Sequence, residues 1–391
     1  MREQAAERTR PSGRPRSGAR RRAVAVAAAV AIGVLATGLP TAPSASAATG
    51  PSTVQQGLTA LLRSDGVPGA LASVQDRHHR TRTYTAGVGD LATGSKVPDD
   101  GQVRIGSNTK AFTAVVVLQL VARKKVDLDA PVDTYLPDLV RGEGIDGRHI
   151  TVRQLLQHTS GLPNYSEYLD DDVRTYDPHE LVDIALRHKA DFAPGTGWAY
   201  SNTNYVLAGL IVQQVTGRSL ATEIDRRVIE PLGLRHTYFP APGDAAIREP
   251  HPQGYYRDAA GALVDITELD PSWGWAAGQL ISTGSDLNRF YRALLTPGRL
   301  LPAAQLAQMR MTVPAEETFG PGAGYGLGLV SMPLPCAPGV YWGHGGSFPG
   351  FETRGGATDD GRAANVAVTV QLSDQASRSR VDAVVRTALC R

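Results

Sequence analysis

Arg104-Ile105-Gly106-Ser107-Asn108-Thr109-Lys110-Ala111-Phe112 joins a short strand-like segment to a long apolar run, Ala111 to Val121, closed by Arg123-Lys124-Lys125. The run is apolar on every side, which predicts a helix inside a core rather than on a surface. Basic residues after it suit a helix C-terminus. Ser107 therefore stands at the helix N-terminus, where free N–H groups and the helix dipole favour developing negative charge. Lys110 comes three residues later on the same helical face, so its amine can reach the Ser107 hydroxyl. Burial lowers a lysine pKa and frees the amine to act as a base, which makes Ser107 a candidate nucleophile. An N-cap serine beside a solvated lysine has the same sequence, and S-x-x-K arises about once by chance in a chain of this length. The decision rests on the rest of the chain.

The first residues of the 391 differ in character from the remainder. Arg2 to Arg22 carries eight arginines and two glutamates, Ala23 to Leu39 is apolar, and Ala45-Ser46-Ala47 has the small-x-small pattern of a signal-peptidase site. Residues 1–47 are expected to be a cleaved signal peptide, the apolar stretch being short for a membrane span. The expected product is a secreted, extracellular protein without a stable membrane anchor. Arg20-Arg21-Arg22 leaves both the general and the twin-arginine export route open. Without residues 1–47 the basic residues fall from 40 to 32 and the acidic from 38 to 36, so a net charge of +2 becomes −4. With no basic stripe, nucleic acid is excluded as a partner. Cys336 and Cys390, an even pair in an exported chain, predict one disulfide. Two cysteines without histidine spacing exclude a structural zinc site.

The predicted elements are a capped helix from Val54 to Arg63, strands at Gly69–Gln75, Arg82–Val88 and Val103–Ile105, and the central helix. Next comes a mainly helical region, from about Val126 to Asp270, with helices at Val152–His158, Pro178–His188, Asn204–Val215 and Ser219–Ile229. Strands return at Trp275–Ser282. Helices at Ser285–Leu295 and Pro302–Met311 lead to four strands in meander order between Gly326 and Leu372, and Gln375–Leu389 closes the chain as a helix. The fold class is α+β: an antiparallel sheet flanked by terminal helices, with an all-helical lobe inserted between its halves. The α/β part is about 48–125 and 271–391, the helical insert about 126–270.

Two further stretches carry polar chemistry. Tyr200-Ser201-Asn202 is read as a loop before a helix, where residues two apart face one way. A tyrosine near an ammonium can have its pKa lowered and carry a proton, and an asparagine amide can hold a carbonyl. Trp342-Gly343-His344-Gly345-Gly346-Ser347 supplies a histidine and a glycine-rich strand that admits another backbone. There the Ser347 N–H can pair with the Ser107 N–H as an oxyanion hole.

The order S-x-x-K, Y-x-N, H-x-G resembles the penicillin-recognising serine hydrolases, and more narrowly the branch of class C β-lactamases and secreted D-alanyl-D-alanine carboxypeptidases. The likeness covers nearly all of the chain after residue 47, including Ile150-Thr151-Val152-Arg153-Gln154-Leu155-Leu156 and Tyr325-Gly326-Leu327-Gly328-Leu329. It implies a β-lactamase/transpeptidase-like fold with its site where the sheet meets the helical lobe, and no metal or cofactor. It implies Ser107 as acylated nucleophile, Lys110 as base or its tuner, Tyr200 as proton carrier and Asn202 on the substrate amide. Trp273 stands over the site, and His344, Gly345, Gly346 and Ser347 line it. Whether Lys110 or Tyr200 is the base is left open. The implied partner is a small molecule or peptide, namely a peptidoglycan stem peptide, a β-lactam or an ester, met by a monomer. Two departures weaken carboxylate recognition: Gly345 stands where relatives have a hydroxyl residue, and Val330 where the carboxypeptidase branch tends to have arginine. An esterase or amidase gains ground accordingly. A protonated His344 is expected to recover part of the loss as pH falls toward 6.5. A non-catalytic penicillin-binding or sensor protein is the rival from another class.

Overall fold

The computed structural model describes residues 52–169, 174–336 and 339–390. The segment read as a signal peptide lies outside them. Ser52 accepts the N–H of Gln55 and starts a helix over Thr53–Asp65, which Gly66 ends at φ 59°. The left-handed turn favours glycine there. The chain then crosses the hairpin Gly69–Gln75 and Thr81–Asp90 to the central helix Thr109–Ala122, whose Val115, Val116, Val117 and Leu118 are all fully buried.

Among the described residues, ten strands form one antiparallel sheet. Its C-terminal strands run in meander order through Val330–Pro333, Val340–Gly343, Phe351–Ala357 and Ala363–Val368, and the N-terminal hairpin adds on beyond the last. Ala70 pairs with Val368 and Gln75 with Ala363, so the first long strand lies against the last. Alternation sorts Ala363–Val368 by face. Val366 and Val368 meet the terminal helices Thr53–Asp65 and Gln375–Leu389, while Ala363 and Ala367 join the core shared with the central helix. The disulfide Cys336–Cys390 ties the far end of the closing helix to the loop after Val330–Pro333.

Two expectations are corrected, and the third predicted strand stands apart from the large sheet. Among the described residues, Val103–Arg104 pairs only with Ile281–Ser282, outside the large sheet. Trp275–Gly278 is a helical turn rather than strand, leaving Ile281–Ser282 as the strand of that region. Asn202 opens the helix Asn202–Thr216 rather than preceding it. An unexpected strand, Gly346–Phe348, pairs with Phe351–Glu352–Thr353 and carries the glycine-rich motif to the Ser107 turn. The helices between Val152 and Leu232 stand on the other side of the central helix, with capping box Thr151/Gln154 on the first. Among the described residues, no helix is long and apolar enough to cross a membrane.

Candidate active site

Ser107 lies in a 3-10 turn, Gly106–Asn108, that feeds directly into the central helix. Asn108 fixes that turn: its amide donates to Ile105 O and Thr353 Oγ1 and accepts from the Tyr291 hydroxyl at 2.7 Å. Gly106 has φ 49°, and a Cβ on it would lie 2.8 Å from Ser347 O. A Cβ on Gly346 would lie 2.0 Å from Ile105 O and 2.9 Å from Ser107 N. The two glycines thus let the strand Gly346–Phe348 close onto the Ser107 turn, which brings the Ser107 and Ser347 backbones side by side.

Lys110 is fully buried, and its Nζ lies 3.1 Å from Ser107 Oγ, 2.7 Å from Asn202 Oδ1 and 2.9 Å from Ala277 O. Among the described residues no carboxylate pairs with it, and desolvation holds its pKa well below the usual lysine value. A neutral amine has two hydrogens and one lone pair. Asn202 Oδ1 and Ala277 O are pure acceptors and take the hydrogens. The lone pair is left facing the Ser107 hydroxyl. Asn202 is oriented by neighbours that the sequence did not single out: Asn164 Oδ1 accepts its backbone N–H, and its Nδ2 donates to Ser166 Oγ at 3.1 Å. One amide hydrogen remains for a ligand.

Tyr200 closes the other side. Lys110 Nζ stands 4.8 Å from its ring centroid, and the rings of His158, Phe319 and Tyr325 surround it. The expectation of a lowered tyrosine pKa is corrected here. Burial raises it, opposed by a hydrogen bond with Ser107 and by the more distant charge of Arg354. Burial of the phenol itself outweighs both, so it keeps its proton.

His344 is also corrected. It is 3% exposed, and burial, with the nearby Lys110, pulls its pKa down to about 3. Its Nδ1 lies 2.5 Å from Gly345 O and its Nε2 3.0 Å from the Tyr325 hydroxyl. Both nitrogens are engaged with the protein, so a cationic His344 does not arise near pH 6.5. Gly345 also shows why no hydroxyl side chain stands there. A Cβ would meet Arg354 Nη1 at 2.5 Å and its Cδ at 2.9 Å. The guanidinium is itself held by the fully buried Glu352 carboxylate, 2.5 Å away, with Asp382 at 3.7 Å. Ser347 Oγ donates to the other oxygen of Glu352. Nothing in the sequence marked Glu352, Arg354, Asn164 or Ser166; Tyr325 stood in a quoted motif without a role.

Ser107, Asn164, Ser166, Tyr200, Asn202, His344, Gly345 and Arg354 line a cleft of about 490 Å³, with Lys110 behind Ser107. Trp273 forms part of its wall, stacked on Phe348 with ring centroids 4.9 Å apart, and its carbonyl accepts from the Tyr165 hydroxyl. Val330 also lines the wall, an apolar surface in the place where an arginine is lacking. Ser107, Lys110, Tyr200, Asn202, Trp273, His344, Gly345, Gly346 and Ser347 are all brought together.

The family model described as Beta-lactamase matches residues 53–389. A D-stereospecific amidohydrolase from Streptomyces sp. is 40% identical, superposes with a TM-score of 0.77 and shares 85% of this chain and 97% of its own. The D-amino acid amidase of Ochrobactrum anthropi SV3, complexed with L-phenylalanine amide, is 29% identical with a TM-score of 0.75, over 85% of this chain and 97% of its own. Esterase EstB of Burkholderia gladioli is 31% identical over 312 residues, 71% of this chain and 79% of the esterase. Some curated relatives are longer, and of these the chain spans about half.

Proposed function

From the premise that the chain belongs to the Beta-lactamase family of serine hydrolases, we propose that it is an exported amidase or esterase that forms an acyl-enzyme on Ser107. The observation that carries this reading is the Lys110 amine, buried without a carboxylate partner and 3.1 Å from Ser107 Oγ. Lys110 takes the Ser107 proton as Oγ attacks the substrate carbonyl. The developing oxyanion faces the Ser107 and Ser347 N–H groups. Tyr200, a protonated phenol, gives its hydrogen to the leaving nitrogen or oxygen and recovers one through Lys110. Water then repeats the sequence in reverse and frees the acid. Asn202 holds the substrate amide with its remaining N–H.

Two features support a substrate that carries no carboxylate beyond the scissile bond. Arg354 fills the place of a side chain at 345, and its charge is already matched by Glu352. Val330 offers no charge from its part of the wall. The relatives named esterase and D-amino acid amidase fit this choice. Peptides ending in free D-alanine are expected to react slowly. β-Lactams are expected to acylate Ser107, because nucleophile, base and oxyanion donors act on any strained or activated carbonyl. The test compares a D-amino acid amide, a short-chain ester, a cephalosporin and a D-Ala-D-Ala peptide, with intact-mass detection of trapped acyl-enzyme. Fast peptide cleavage with negligible amide and ester turnover overturns the substrate choice. No turnover of any of them by a folded protein favours a sensor, and acylation surviving Ser107→Ala removes the nucleophile assignment.

A further inference from the structure

Behind the cleft, three buried side chains form a hydrogen-bonded series whose directions can be assigned throughout. The Ser201 backbone N–H points at His158 Nδ1, 3.2 Å away, so that nitrogen accepts and the ring proton sits on Nε2. His158 Nε2 lies 3.2 Å from the Tyr325 hydroxyl, which accepts this proton. The Tyr325 hydroxyl also bonds that of Tyr205, but Gly345 O can only accept from His344 Nδ1, so His344 Nε2 is left as an acceptor and the Tyr325 hydrogen is directed at it, 3.0 Å away. The His344 proton thus sits on Nδ1 and is donated to Gly345 O at 2.5 Å. His158, Tyr325 and His344 are 0%, 0% and 3% exposed, so water does not compete for these bonds. The series starts at the end of the helix Val152–Gln157, where His158 takes a left-handed φ of 62°, and ends on the peptide before Gly346.

We propose that Tyr325 is a positioning residue for the reaction: its hydroxyl fixes His344 in the Nδ1–H form and so holds the Gly345 peptide that presents Gly346 and Ser347 to the nucleophile turn. This rests on the acyl-enzyme reading above and adds to it how the oxyanion strand is kept in place. Gly346 has no slack against Ile105 O. A carbonyl released at Gly345 therefore lets the adjoining Ser347 N–H drift from its register with Ser107. The same series couples the helical lobe to the sheet across the cleft, through a tyrosine that does not line it. Tyr325 touches neither Ser107 nor Lys110 by hydrogen bond, so its effect passes through His344.

Long-range proton–nitrogen NMR of histidine-labelled protein reads ring tautomers directly, and His158→Gln and His344→Gln assign the two rings among nine histidines. Wild type is expected to show two neutral rings of opposite type, Nε2–H for His158 and Nδ1–H for His344. In Tyr325→Phe the His344 ring is expected to become a mixture of tautomers. Its kcat on a short-chain ester should fall about 10- to 100-fold with KM nearly unchanged, the mark of lost transition-state geometry. Should Tyr325→Phe fail to fold, the His158 pair decides: His158→Gln keeps both a donor and an acceptor and should retain activity, whereas His158→Leu should lose it. Matching tautomers in an active wild type, an unaltered His344 ring or kcat in Tyr325→Phe, or equal loss in both His158 variants overturns the positioning role. Absence of acylation in wild type overturns the acyl-enzyme reading, and the positioning role with it.

Discussion

Gly346→Ala tests the oxyanion geometry with a single methyl group. The added Cβ would stand 2.0 Å from Ile105 O, where ordinary contact begins at 3.4 Å, so the strand must back away by about 1.4 Å. The Ser107 N, 2.9 Å from the same Cβ, is crowded too. An N–H···O bond of about 2.9 Å opened by that distance exceeds 4 Å and is no longer a hydrogen bond. Losing one oxyanion donor costs about 2.7–4 kcal/mol, or roughly 10²- to 10³-fold in kcat. The overpacking itself should lower stability by about 1–3 kcal/mol, which leaves most molecules folded. Steady-state kinetics on a short-chain ester, at a temperature well below the melting transition, give the first quantity and thermal unfolding gives the second. A folded Gly346→Ala protein within about threefold of wild-type kcat would show that the Ser347 N–H does not meet the oxyanion.

Other outcomes concern the same site and its supports. Lys110→Ala and Tyr200→Phe should each lower turnover at least about 10²-fold, and the double variant should lose little more, since both serve one proton relay; additive losses in kinetics would separate their roles. His344 has a folded pKa of about 3 against an ordinary 6.5, so the unfolded chain takes up its proton first as pH falls. Its contribution to stability is complete above pH 6.5 and lost on the way to pH 3. The loss is about 2 kcal/mol by pH 5, with His158 acting in the same direction, as denaturant titrations at several pH values should record. Activity measured over the same range should show no gain between pH 7 and 5. Reduction of Cys336–Cys390, which spans 54 residues, should destabilise by about 4 kcal/mol on loop-closure grounds, checked by unfolding with and without reductant. Glu352→Gln should cost about 3–5 kcal/mol, because it leaves the Arg354 charge buried without its counterion; a smaller shift in unfolding midpoint would mean that Asp382 suffices.

The sequence made legible whatever depends on local chemistry. Caps and stops placed the helices starting at Ser52, Thr151 and Asp177, because side-chain acceptors and left-handed glycines act within a few residues. The S-x-x-K pair was legible for the same reason: three residues along a helix fix a distance. What escaped was set by long-range packing. Trp275–Gly278 is too short to show a helical period, and it turns as a helix beneath the central helix, where the Ala277 carbonyl meets Lys110. The His344 and Tyr200 proton affinities could not be read, since both depend on how completely distant rings exclude water. Arg354 was silent because its meaning lies in the space that Gly345 leaves open.

The pairing of Gly69–Gln75 with Ala363–Val368 also has a meaning for how the molecule comes into being. Those strands lie side by side in space, yet Ala70 and its partner Val368 are separated by most of the 391-residue polypeptide. A nascent chain carrying the nucleophile turn, the helical region and most of the strands still has an open edge along Gly69–Gln75. Loop closure over such a span must precede any reward from pairing, which makes assembly slow and late. Until the closing strand emerges, the unpaired edge is a template for other chains. The cleft therefore cannot mature piecemeal during synthesis: its strand Gly346–Phe348 is seated on the same sheet, and that sheet closes only when its last members arrive.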